Sequence, residues 1–306
     1  MIMSNVFQKI HRFIVNPRIR FNYLEKLGLF NNISDEDFLK MKYHICCGGD
    51  LNLQHPHTFN EKMQWLKLHD HNSDYIKMVD KYLVKRYVAE VIGNDHVIPL
   101  LGVWDNPDQI DFNRLPDQFV LKCNHTSGVG ICICKDKSKL NIKNVKVELR
   151  KGLEDNYYLH GREWPYKYVE RKIICEKYMV DESGVELKDY KVFCFNGVPQ
   201  LIEVDFDRFT NHQRNLYTPE WQFVDKEILY PNAPNHQIVK PQKLEELLLL
   251  AAKLSKGIPF VRTDFYIIGE QIYFGEMTFY HGSGMEPFRP KEFGDDLGNL
   301  IKLPTD

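Results

Sequence analysis

Apolar positions recur at helical spacing through the first quarter of the chain, and residues 4 to 45 are expected to be helical. NVFQKIHRFIVNP carries one such stripe and stops near Pro17, because proline removes a backbone donor and clashes with the preceding turn. SDEDFLKMKYHI begins with Ser34 as cap, acids in its first turn and Asp37 three residues on. HTFNEKMQWLKLHD opens the next helix, with Thr58 or Asn60 as cap and Met63, Leu66 and Leu68 turned inward. DYIKMVDKYLVKRYVAEVIG reads as one further helix ending at Gly93.

The period then changes from helical to alternating. HVIPLLGVW is a short strand and turn, and DQFVLKCNHTSGVGICICKD is a strand, a polar glycine turn and a second strand. Residues 143 to 161 return to helix, KIICEKYMV is a strand, and DESG is a turn. DYKVFCFNGVPQLIEVDFDR is a hairpin turning at Asn196-Gly197, since Asn-Gly supplies the positive φ that tight hairpin turns require. Residues 208 to 239 are expected to be loop. PQKLEELLLLAAKLSKG is a helix with proline at its start and glycine at its end. A last hairpin, VRTDFYIIGEQIYFGEMTFYHGSG, turns at Gly269. The order predicts an α+β chain with mostly antiparallel sheets. It lacks the βαβ alternation and the G-x-G-x-x-G of a dinucleotide-binding fold.

Composition narrows the class. With 306 residues the chain has room for two lobes, and 43% apolar with 27% charged residues is an ordinary globular balance. A formal net charge of −2 provides no general field for nucleic acid. No apolar run is long enough to span a bilayer, and no secretory leader is evident, so a cytoplasmic location is expected. Seven scattered cysteines fit a reducing compartment. The pairs Cys132/Cys134 and Cys46/Cys47 lack a second pair at zinc-finger spacing, and His55, His57, His69 and His71 share no clear helical face. Lys9, Arg12, Arg18, Arg20 and Lys26 stand against Glu25 alone. A basic amphipathic helix there either packs on its own domain, the reading preferred here, or rests on the inner face of a membrane.

The last hairpin carries the densest chemistry. Arg262 and Asp264 share a strand face, and antiparallel pairing brings Glu276 toward Asp264. Two carboxylates beside an arginine, followed by Thr278, suit Mg²⁺ and phosphate; a hairpin whose acids face water is the plainer alternative. Lys122 leads into a turn containing Thr126, Ser127 and Gly128, where close backbone approach suits phosphate, as it would any hairpin tip. Glu176, Lys177 and Met179 close a strand whose backbone could serve as a hinge for a base edge. Lys191 and Arg208 flank the Asn-Gly hairpin, with a simple cross-strand ion pair as the alternative.

Taken in order, HTFNEKMQWLKLHD, VDKYLVKRYV, LKCNHTSG, DYKVFCFNG and VRTDFY…FGEMTF resemble the TupA-like family of the ATP-grasp superfamily, over roughly residues 55 to 290. That family occurs in gene clusters for surface polysaccharide and teichuronopeptide. The resemblance implies an ATP-grasp fold of two α+β lobes, 76–172 and 173–306, preceded by a helical region, 1–75. It implies that Lys81 and Lys122 contact phosphates, beneath a loop of Thr126, Ser127 and Gly128. Glu176, Lys177 and Met179 would form the adenine hinge, and Asp264, Glu276 and Thr278 would hold Mg²⁺. Arg262, with Lys191 and Arg208, would serve catalysis, and Ser283 and Gly284 would border the acceptor. The implied reaction joins a carboxylate to an amine through an acyl phosphate, with a sugar acid and an amino acid as the implied substrates. A kinase, a glycosyltransferase-associated enzyme and a silent nucleotide-binding scaffold remain as alternatives. Thr278 departs from the asparagine common at its position, which weakens the case for a second metal. The helical N-terminal region replaces the Rossmann-like leading domain of many relatives, so the acceptor does not follow by analogy.

Overall fold

The computed structural model describes residues 11, 13–180, 187–206, 211–236 and 238–304. Arg208, Lys9 and Arg12 lie outside them. After helical residues 13–15 come α1 (Pro17–Lys26), α2 (Asp35–Cys47) and α3 (Phe59–His69). Their ends follow local chemistry. Asn16 caps α1, with its side chain accepting from Arg18 and Ile19 N–H. Ser34 Oγ accepts from Asp37 N–H at α2, as expected from sequence. Thr58, rather than Asn60, caps α3 through a reciprocal box with Glu61. Asn60 sits inside the helix and donates to Glu286 O at 2.9 Å. Phe21, Phe38, Leu39, Tyr43, Leu51 and Met285 form a small core beneath α1 and α2, and Leu68 packs at its margin. Phe59, Met63 and Leu66 of α3 join the main core instead.

The continuous helix expected over 74–93 is two helices, α4 (Asp74–Val79) and α5 (Val84–Ile92). The break lies at Asp80, whose Oδ1 accepts from Tyr82 N–H at 2.8 Å and from Leu83 N–H at 3.3 Å. An aspartate that hydrogen-bonds the backbone just ahead offers an alternative to the helical ladder. Helix over 143–161 likewise resolves into α6 (Ile142–Glu154) and a single turn, α7 (Tyr158–Gly161).

Two antiparallel sheets follow. The smaller has order β1-β4-β2-β3, from β1 (Leu100–Trp104), β2 (Phe119–Cys123), β3 (Ile131–Cys134) and β4 (Ile173–Lys177). Phe119, Leu121 and Cys123 bury one face of β2 against Val145 and Leu149 of α6. Alternation therefore turns Val120 and Lys122 to the other face. The larger sheet runs β11-β10-β5-β6-β7-β8. It comprises β5 (Asp189–Phe195), β6 (Val198–Phe206), β7 (Gln213–Tyr217), β8 (Phe223–Val224), β10 (Phe260–Ile268) and β11 (Gln271–Thr278). Helix α8 (Leu244–Leu254) buries Leu244, Leu247, Leu250 and Leu254 on one side of it. A two-stranded ribbon joins β9 (Glu227–Ile228) to β12 (Phe288–Arg289), and α9 (Glu292–Leu300) closes the chain. The segment expected to be loop over 208–239 thus contributes β7, β8 and β9. Their alternation is masked by buried polar residues, Arg214 and Asn215, whose partners are distant in sequence.

Candidate active site

One ladder row of the larger sheet sets out most of the chemistry. Reading across the strands, Glu276 pairs with Asp264, Asp264 with Lys191, and Lys191 with Glu203. Arg262 faces Thr278 two residues along. The period of two puts these side chains on the face opposite α8. A bulge fixes this register: Asp264 pairs with Glu276 but Phe265 with Phe274, leaving Gly275 as the extra residue. A Cβ at Gly275 would meet Tyr266 Cε2 at 3.0 Å and Asp264 O at 3.1 Å, so the tight approach favours glycine.

Arg262 holds Asp264 as a two-point fork, Nε to Oδ1 at 2.7 Å and Nη2 to Oδ2 at 2.6 Å. Its Nη1 lies 2.8 Å from His281 Nδ1, and Nη2 donates to Thr278 Oγ1 at 3.1 Å. Burial pushes the Asp264 carboxyl up to about 6, and the neighbouring guanidinium only partly opposes it. Burial acts the same way on Glu276, but there Lys81, Arg262, Lys122 and Lys191 prevail and hold it below the usual carboxylate range. Lys81 Nζ stands 3.7 Å from Glu276 Oε1 and donates to Thr126 O at 2.9 Å.

The smaller sheet brings its own charges to the cleft. Glu176, on β4, is almost wholly buried, with Lys122 and Lys85 each 2.6 Å away. Burial would raise its carboxyl, yet the two ammonium groups hold it low. The sequence reading assigned Glu176 only a backbone role; its side chain instead aligns two lysines, and Lys85 was missed. Lys177 is exposed, and its N–H already donates to Pro99 O at 3.0 Å. Met179 follows, partly buried, just beyond β4.

The turn after Lys122 is anchored at its base. Asn124 donates to Asp80 Oδ1 at 2.9 Å and Glu170 O at 2.8 Å, and accepts from Lys172 N–H at 2.8 Å. His125 contacts Asp155 O at 3.1 Å, and Thr126 Oγ1 donates to Val129 O at 2.7 Å. The base of the turn is thus packed, and only Ser127, Gly128 and Val129 are exposed. We predict that Mg-ATP slows amide hydrogen exchange at these three positions while leaving Asn124 and His125 unchanged. Equal exchange at residues 127–129 with and without nucleotide would remove the tip from the site.

Lys191 belongs to a buried ionic network. Its ammonium contacts Glu203 at 3.0 Å and also Asp205, while Arg214 reaches Glu203 at 3.0 Å and Asp205 at 2.8 Å. His212 lies 3.0 Å from Asp205, and His281 lies 3.0 Å from Glu286. Glu203, Asp205, Arg214 and His281 carried no sequence signal, since each becomes meaningful only through register with Lys191 and Arg262. The turn His281–Gly284 leaves β11 with Gly282, Ser283 and Gly284 all at positive φ.

Glu203, Asp205 and Asp264 are held at short range by Lys191, Arg214 and Arg262, whereas Glu276 meets Lys81 only at 3.7 Å. A partly open carboxylate with so long a contact suits a divalent cation. Among the described residues no three His, Cys, Asp or Glu side chains form a ready cage. Mg²⁺ is compatible with that, because it takes one or two carboxylates and fills its shell with phosphate and water.

Comparison with known proteins adds a family. No curated protein matches the chain. Among solved structures it is similar to D-alanine–D-alanine ligase from Bacillus anthracis complexed with ATP, at 16% identity and TM-score 0.40 over 68% of this chain and 55% of that one. It is similar to the D-alanine–D-alanine ligase of Helicobacter pylori at 16% identity and TM-score 0.39, over 74% of this chain and 63% of that one. An ADP complex of N5-carboxyaminoimidazole ribonucleotide synthetase aligns at 13% identity and TM-score 0.42, over 81% and 58% of the respective chains. The chain thus spans 55% to 63% of the length of these structures. The profile of the TupA-like ATPgrasp family matches residues 61–302, from the start of α3 past the end of α9 and through every residue of the ladder row. This chain belongs to the TupA-like ATP-grasp family.

Proposed function

We propose that the protein is an ATP- and Mg²⁺-dependent ligase that joins a carboxylate to an amine through an acyl phosphate. The observation that carries this reading is the direct pairing of Asp264 with Glu276, next to the pairing of Arg262 with Thr278, under Lys81. Lys81 and Lys122 bind the phosphates, and Ser127 and Gly128 cover them beside the anchored Thr126. Glu176 keeps Lys122 aligned, and the backbone around Lys177 and Met179 borders adenine. Asp264 and Glu276, with the Thr278 hydroxyl, hold Mg²⁺, which supplies charge neutralisation to the transferring phosphoryl group. Asp264 must share its oxygens with Arg262, so Glu276 is the freer ligand.

Chemistry then falls to positioning. A substrate carboxylate attacks the γ-phosphorus and ADP leaves; an amine adds to the acyl carbon and phosphate departs. Arg262 faces the oxygen on which charge develops. Lys191, Ser283 and Gly284 border the acceptor. We assign the substrates to a sugar acid of a surface polysaccharide and an amino acid, acting in the cytoplasm. The exposed Ile14, Val15, Ile19 and Leu27 beside Arg18, Arg20 and Lys26 suit contact with the inner membrane face.

The test is an ADP-release assay over pooled sugar acids and amino acids, with mass spectrometry of the product and hydroxylamine to trap the acyl phosphate. A hydroxamate is expected from the wild type. Arg262→Lys should lose about 100-fold in rate, since a point ammonium cannot reproduce the planar fork. A stable phosphorylated hydroxyl formed without amine would replace the ligase reading with a kinase.

A further inference from the structure

Lys67 is a lysine without an obvious structural reason to be where it is. It lies on α3, and only 2% of it is exposed. Its ammonium forms no ion pair among the described residues. It contacts three neutral oxygens: Gln64 Oε1 at 3.0 Å, Ser283 O at 2.8 Å and Ser283 Oγ at 2.9 Å. A buried ammonium held only by neutral acceptors is expected to lose its proton easily.

Ser283 is equally unusual. It is a non-glycine residue at φ 55°, between two glycines that share its left-handed backbone. Such strain persists only where the surroundings enforce it. Gln64 Nε2 donates to Ser283 O at 3.1 Å and to Gly284 O at 2.9 Å, so α3 fixes the turn from behind. Gly161 makes room for the hydroxyl: a Cβ there would lie 2.4 Å from Ser283 Oγ and 3.0 Å from Glu163 Oε1. Ser283 itself stays partly exposed, while Lys67 lies behind it.

The hydrogen-bond count suits both protonation states. Charged, Lys67 has three donors for three oxygens. Neutral, it has two donors, for Gln64 Oε1 and Ser283 O, and one lone pair to accept from the Ser283 hydroxyl. We infer that Ser283 and Lys67 form a proton relay that deprotonates the incoming ammonium of the amine substrate. This rests on the ligase reading. The ammonium gives a proton to Ser283 Oγ, and the Ser283 hydroxyl proton passes to neutral Lys67 Nζ. The freed nitrogen lone pair forms the C–N bond, the acyl C–O bond breaks, and its electron pair leaves with phosphate, which takes the amine's second proton.

The surroundings favour a neutral Lys67 near physiological pH. Burial is the main cause and brings it down to about 7; Glu163 and Cys47 pull it up, and Lys42 pushes it down. Tyr280 presents its ring 5.7 Å from the ammonium. Glu163 is itself buried and raised, chiefly by burial and against the pull of Lys67, and it bonds the Ser283 side chain. In its protonated form it donates to Ser283 Oγ, which leaves the hydroxyl proton for neutral Lys67.

The test has a direct arm and a kinetic arm. Carbon-13 NMR of lysine-labelled full-length protein should show one side chain titrating near 7. That signal should vanish in Lys67→Met and move in Ser283→Ala, which identifies it if the first variant fails to fold. Lysines that all titrate near ~10.4, the ordinary value, would overturn the relay alone. In the kinetic arm, Ser283→Ala should lose about 100-fold with an ammonium-bearing amine found by the ADP-release screen. Hydroxylamine, already neutral at pH 7, should lose far less. Equal losses with both nucleophiles would make Ser283 merely structural and sink the relay. A screen that yields no amine-dependent product overturns the ligase reading and the relay's role with it, whatever Lys67 titrates at.

Discussion

Glu276→Gln should reduce ADP release by at least about 100-fold while leaving the fold intact. The amide keeps the size of the side chain but loses the negative charge that Lys81, 3.7 Å away, and the nearby Arg262 and Lys122 hold in place. An anionic oxygen is what Mg²⁺ requires at this position, and losing one electrostatic contact to a phosphoryl transition state costs on the order of 3 kcal/mol. Glu276 suits the test better than Asp264. Asp264→Asn also breaks the buried two-point fork with Arg262, so any lost activity would be mixed with lost stability. Steady-state ADP release beside a urea unfolding curve separates the two effects. Turnover within threefold of wild type would take Glu276 out of the metal site.

How much of this was legible in the sequence follows from the range over which each signal acts. Ser34, Thr58 and the Asn196-Gly197 turn are local, and each does what its residue type dictates. The R-x-D strand and its partner Glu276 were also readable, because the hairpin that joins them turns within four residues, at Gly269. Glu203, Asp205 and Arg214 were not. Glu203 and Asp205 lie in a strand that looks like ordinary alternation, Arg214 lies in a segment that reads as loop, and their charges matter only when β6 and β7 stack in register beside β5. Lys67 was misleading for a different reason. Lys67 stands four residues after Met63, on the same inward face of α3, but residue type alone argues for an exposed ammonium; docking against the His281–Gly284 turn buries it. The helix break at Asp80 was hidden because DYIKMVDKYLVKRYV keeps its helical period across the interruption. Lys81 N–H there bonds Asn124 O at 3.0 Å, so a contact with a distant turn decides a local break.

Lys191→Met should destabilise the protein by roughly 3–5 kcal/mol, even though methionine fills a similar volume. Lys191 sits between Glu203, which is fully buried, and Asp205, nearly so. Burial works against its charge, but Glu203 above all, with Asp205 and Asp264, holds the ammonium raised above its ordinary value and protonated. Both partner carboxylates are held below their usual range despite their own burial, through Lys191 first and Arg214 second. Removing Lys191 takes away the main cation of two buried carboxylates, and an under-compensated buried charge is far costlier than an exposed one. The linkage has a definite sign. Glu203 and Asp205, with folded values below their unfolded ones, contribute stability that is present above the ordinary carboxylate range and lost as pH falls through the folded values. The variant removes much of that contribution. Its deficit in urea midpoint against wild type should therefore be largest near pH 7 and shrink as acid protonates Glu203 and Asp205. A deficit below about 1 kcal/mol at pH 7 would place Lys191 among the weakly coupled surface pairs. It would mean that the ladder row Glu276–Asp264–Lys191–Glu203 is held by its strands and not by its charges.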